Sequence, residues 1–109
     1  MNQVVLVGRL TSTPVLEDTG TKKVAIVTLA VARSYKNVDG EYETDFIDVT
    51  VWEGVATNMC EYVRQGDLIG VKGRLENVNY FDENEGRNKQ KTVVVAEKVT
   101  FLSNRGGNN

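Results

Sequence analysis

The chain contains no histidine, which removes the side chain most often used as a general base and as a metal ligand. Its single cysteine, Cys60, can form neither an internal disulfide nor a structural zinc site, so a reducing compartment suits it. No G-x-G-x-x-G occurs, and "GVKGR" at 70–74 is too short to be a Walker loop. No apolar run approaches the roughly 18 residues of a membrane span. The opening "MNQVVLVGRL" lacks the basic, apolar and small-residue succession of a signal peptide. A cytoplasmic protein is therefore expected. Charge of one sign is also missing, since 13 Lys and Arg stand against 15 Asp and Glu for a net charge of −2. A nucleic-acid site would have to arise from local segregation of charge. Asp82, Glu83 and Glu85 are close enough in sequence to suggest a cation site, but they fall in a polar stretch that reads as a solvated hairpin tip. We expect no enzyme, no metal and no cofactor.

What remains is one domain's worth of chain: 109 residues, 40% hydrophobic and 26% charged. "QVVLVGRL" alternates as a first strand, and "KKVAIVTLAVARSY" is so continuously apolar that it reads as a second strand covered on both faces. Asp39-Gly40 marks a turn before a third strand, "TDFIDVTVWEG". Over 54–65 the period changes: Val55, Met59, Tyr62 and Val63 recur at helical spacing, with Gly66 placed as a C-terminal glycine. "DLIGVKGRLENVNY" predicts a fourth strand with Ile69, Val71 and Leu75 on one face. "FDENEGRNKQ" reads as a polar hairpin loop and "KTVVVAEKVTFL" as a fifth strand. Five strands with one helix between strands 3 and 4 is the layout of an OB-fold, an all-β five-stranded Greek-key barrel. We expect a single domain over 1–103 and a flexible end over 104–109.

In the third strand, Ile47, Val49 and Val51 form one row, while Phe46, Asp48, Thr50 and Trp52 form the other. Asp and Thr mark the second row as wet, yet it holds the two largest apolar side chains of the segment. Tyr35 ends the second strand beside Arg33 and Lys36, and Tyr80 ends the fourth on the parity of Lys72 and Arg74 if no bulge intervenes. Outward aromatics flanked by cations suit single-stranded nucleic acid, whose bases stack on any flat ring while Lys and Arg meet the backbone. Phe46 and Trp52 are six residues apart, about 20 Å along a strand, so they would serve different bases. Lys89 and Lys91 in the last hairpin are further candidates for phosphate contact. Tyr62, Phe81 and Phe101 read as packing residues and Cys60 as a small buried filler. Arg9 reads either as a phosphate contact or as a solvated side chain. Two other readings share these residues: a protein-interaction module of the primosome type, and an RNA-binding OB domain.

Taken together, "MNQVVLVGRLTSTP", "VTLAVARSYKN" and "TDFIDVTVWEGVATNMCEYVRQGDLIGVKGRL" resemble the bacterial single-stranded DNA-binding proteins, up to about Leu102. The resemblance implies a homotetramer that wraps single-stranded DNA during replication, recombination and repair, with no cofactor and no catalysis. It implies base-stacking roles for Tyr35, Phe46, Trp52 and Tyr80, and places Ile47 at a subunit contact; from the residues alone Ile47 could equally be barrel core. Some members carry basic residues where this sequence has Asp48, Gln65, Glu76, Val78 and Asn79. Fewer phosphate contacts imply weaker binding and a shallower salt dependence, the slope being about −0.7 per neutralised phosphate. Many members continue through a Gly/Pro/Gln-rich linker to an acidic tip that recruits replication and repair enzymes. This sequence stops at "RGGNN", as a trimmed chain or a short form would, so the resemblance does not carry that recruitment to it.

Overall fold

A computed structural model describes residues 1–103. Six strands and one helix follow in the order β1 (Val4–Leu10), β2 (Glu17–Asp18), β3 (Lys23–Lys36), β4 (Tyr42–Trp52), α1 (Glu53–Tyr62), β5 (Leu68–Asp82) and β6 (Arg87–Ser103). Five of the strands close a ring. β1 pairs with β3 and β5, β3 with β4, β4 with β6, and β6 with β5. The two-residue β2 only adds to the edge of β3, so the expected five-stranded barrel and helix position hold once it is set aside. The flexible end expected over 104–109 lies outside the described residues.

Two glycines make the closure possible. β1 runs antiparallel to β5 from Val4↔Gly73 to Arg9↔Leu68, then reaches β3 through Arg9↔Ala30 and Leu10↔Leu29. Gly8 sits at this crossing, where a Cβ would stand 2.6 Å from the Ala30 carbonyl oxygen. Gly73 lies where the β5–β6 register slips, from Lys72↔Lys98 to Gly73↔Ala96. A Cβ there would be 2.1 Å from the Val95 carbonyl oxygen. Only a residue without a side chain allows such an approach, and the slip leaves Glu97 as an extra residue on β6.

The core is aliphatic: Leu29, Val49, Val51, Met59, Ile69 and Val71 are fully buried. Each is worth roughly 1.5–3 kcal/mol of transfer free energy. The helix closes one end of this core through Ala56 and Met59, followed by Val63, and packs against β3, β4 and β6. Cys60 is half-buried against the same core.

Several sequence expectations need correction. The helix ends at Tyr62, and Gly66 is not its C-terminal glycine; Gly66 sits in the following turn, with φ of 91° and its N–H donating to the Leu10 carbonyl at 2.8 Å. β3 is covered on one face only, because Ile26 is 66% exposed. The last hairpin is ladder almost to its tip: β5 runs to Asp82 and β6 starts at Arg87. Leu75 shares the parity of Ile69 and Val71 but is exposed, although it is registered with Val94 of the core. Tyr62, Phe81 and Phe101, expected to pack, are exposed as well. Tyr62 and Phe101 instead meet each other at 6.0 Å between ring centroids.

Candidate nucleic-acid interface

Strand β4 presents the two rows that its alternation predicts. Val49 and Val51 are fully buried and Ile47 packs half-buried against them, opposite Leu29. On the other side Phe46 is 67% exposed and Trp52 38%. Their cross-strand partners on β3 are Ala30 and Val24. Between them the Thr28 hydroxyl donates to Asp48 at 2.6 Å, which satisfies one carboxylate oxygen without covering either ring.

Two grooves adjoin these rings. One, of about 460 Å³, runs where β4 and β6 diverge, and Ile26, Phe46, Asp48, Thr50, Lys91 and Thr92 are among its walls. The other, of about 330 Å³, is lined by Lys22, Trp52, Glu53, Arg74 and Glu76. Lys91 also lies 5.3 Å from the centroid of the Tyr80 ring, so one ammonium joins Phe46's groove to the aromatic of the β5–β6 hairpin. Lys22 holds the same distance, 5.3 Å, from the Trp52 ring. An ammonium over a ring face is a cation–π contact of about 0.5–1 kcal/mol when exposed, easily exchanged for a stacked base.

The other expected residues fall in different places. Tyr35 is exposed but lies within the β3–β4 register shift between Ala32 and Lys36 and lines neither groove. Lys36 caps the ring of Tyr42 at 5.6 Å. Lys72 stands on the β1–β5–β6 side, registered with Val5 and Lys98, away from both grooves. Arg9 donates to the Gly66 carbonyl at 3.0 Å.

Arg33, Arg74 and Lys89 are already engaged. Arg33 grips Asp45 through Nε at 3.1 Å and Nη2 at 3.0 Å, and reaches Glu43 through Nη1 at 3.0 Å. Arg74 bonds Glu76 through Nε at 2.8 Å and Glu97 through Nη1 at 3.2 Å. Lys89 pairs with Glu85 and with Asp82. The hydrogen bond from Arg33 holds the Asp45 carboxyl below its ordinary value, and those from Lys89 and Arg87 do the same for Glu85. The carboxylates in turn raise Arg33, Arg74 and Lys89 above theirs. The hairpin carboxylates Asp82 and Glu85 thus serve neighbouring cations. Burial pushes the Cys60 thiol up, away from reactivity.

Sequence reading missed Lys22 and Ile26 in this surface. Lys22 reaches Trp52 only through the β3–β4 register, which no local pattern encodes.

A family model described as "Single-strand binding protein family" matches residues 1–102. A "Single-stranded DNA-binding protein" of Halalkalibacterium halodurans is 49% identical over 107 residues, covering 97% of this chain and 63% of that one. "Single-stranded DNA-binding protein B" of Bacillus subtilis is 47% identical over 102 residues, 93% of this chain and 89% of its own. "Single-stranded DNA-binding protein 2" of Listeria monocytogenes is 45% identical over 109 residues, 99% of this chain and 68% of its own. The chain therefore spans less than two thirds of the Halalkalibacterium relative's length.

Proposed function

The chain belongs to the single-strand binding protein family, and on that premise we propose that it binds single-stranded DNA with little sequence preference. It holds unpaired DNA open during replication, recombination and repair, in the cytoplasm, as a homotetramer and without catalysis. The observation that carries this reading is the outward row of β4: two large rings, Phe46 and Trp52, left uncovered beside grooves that Lys91 and Lys22 line.

Bases stack on Phe46, Trp52 and Tyr80, each contact worth about 1–3 kcal/mol, and Tyr35 offers a further ring at the end of β3. Lys22 and Lys91, displaced from the ring faces, move to the phosphates. Lys36 and Lys72 add to the attraction from outside the grooves. Stacking accepts any base, because each has a π-face. Ile47 packs against the core and borders the Phe46 groove, so a subunit contact there would run along the edge of the DNA path.

Titration of Trp52 fluorescence with oligo-dT of increasing length, at two salt concentrations, tests the reading. Quenching that saturates, weakens with salt and is lost in a Phe46→Ala/Trp52→Ala protein (followed there with a labelled oligonucleotide) supports it. Binding that survives the double substitution defeats the stacking mechanism. Tighter binding of oligo-U than of oligo-dT would favour RNA, and no response to either would leave the rings as a protein interface.

A further inference from the structure

Of the six cations expected to meet phosphate, three are held by carboxylates of this same chain. The geometry at Arg33 is that of an arginine–phosphate fork with the anion supplied internally. Nε and Nη2 embrace the two oxygens of Asp45, and Nη1 takes Glu43. Glu43 is itself steadied by the Asn37 amide at 3.2 Å. Arg74 is treated likewise from two sides, by Glu76 on its own strand and by Glu97, the extra residue that the β5–β6 register slip leaves on β6.

These pairs do little for the fold. Every partner is partly open to solvent, with side-chain exposures of 37% to 48%, and surface ion pairs of that kind contribute little to stability. Their charge and fork geometry are those by which arginine recognises phosphate.

We propose that Glu43 with Asp45, and Glu76 with Glu97, are affinity-setting residues that occupy the Arg33 and Arg74 forks as internal substitutes for DNA phosphate. The proposal rests on the DNA-binding reading above. A phosphate reaching either fork has to displace a carboxylate. The exchange frees a carboxylate that gathers cations of its own, so the net release of counterions is smaller than with a free arginine. Affinity is lowered and the salt dependence flattened, while Lys22 and Lys91, which lie over aromatic rings, remain free to attract the strand.

The test measures affinity for labelled oligo-dT from low to moderate salt in the full chain and in three carboxamide variants. E43Q/D45N should tighten binding roughly three- to tenfold at low salt and steepen the plot of log K against log salt by about 0.7, one phosphate's worth. E76Q/E97Q should do the same through Arg74. Glu61→Gln, an exposed change on α1 outside both sets of ion pairs, supplies a one-charge change in net charge and should leave affinity within about twofold. In an Arg33→Ala background the gain from E43Q/D45N should vanish. Wild-type protein that fails to bind refutes the DNA-binding reading itself. Wild type that binds, with folded carboxamide variants at both forks that bind no tighter, refutes the clamp alone. So does an E61Q gain as large as theirs, or a gain that persists without Arg33. Should one fork's variant fail to fold, the other decides.

Discussion

The inward and outward rows of β4 differ less in their apolar content than in what they meet. Ile47, Val49 and Val51 face a core that the helix and four other strands complete. Phe46 and Trp52, one pleat away, face nothing of comparable size. One strand thus carries stability on one side and recognition on the other, and its period of two keeps the jobs apart. Substitutions on the two sides should therefore move different observables.

The largest effect belongs to the inward side. Leu29 faces Ile47 across the strand pair and has no exposed surface. Leu29→Ala should cost about 2–5 kcal/mol in urea unfolding, while the fraction that stays folded binds oligo-dT as before. A folded Leu29→Ala protein with weakened binding would break the separation. Next comes the outward side: Phe46→Ala should lose about 1–3 kcal/mol of binding and change stability by no more than about 0.5 kcal/mol. Equal losses in both would mean that the ring is packing and not a platform.

The smallest effect is that of pH. Asp45 is held below its ordinary value by the Arg33 hydrogen bond. Whatever this adds to stability is complete above the unfolded carboxyl value near 4 and fades only as pH falls through the lower folded value. With no histidine in the chain, unfolding midpoints and oligonucleotide affinity should change little between pH 6 and 8. A titration centred near 6.5 in either quantity would show that a group outside this account controls the surface.

Much of the fold was legible because alternation and turn residues are local. The two rows of β4 follow from "TDFIDVTVW", and the Asp39-Gly40 turn sits where it was expected, with Gly40 at φ of 80°. Parity assigns a face but does not say whether anything covers it, which is why the pattern suggests packing for Tyr62, Phe81 and Phe101 and cover on both faces of β3, where the structure leaves these rings and Ile26 exposed. The Arg33–Asp45 fork was illegible for a different reason. It joins side chains 12 residues apart across a ladder that slips between Ala32 and Lys36, and the slip has no sequence signature. The same holds for Glu97, which its bulge aims at Arg74.

The barrel is sewn unevenly. β5 and β6 share a ladder from Leu68↔Ser103 to Asp82↔Arg87, whereas β4 and β6 meet only at Val49↔Val94 and Thr50↔Val95. Parting the barrel along that short stitch breaks fewer ladder bonds than parting the long hairpin, so the ring should open there first. Because the Phe46 groove lies over the stitch, with Thr50 and Val94 in its wall, a polymer lying in it would act as a clasp. Slowed hydrogen exchange at Val49, Thr50, Val94 and Val95 would be its mechanical trace.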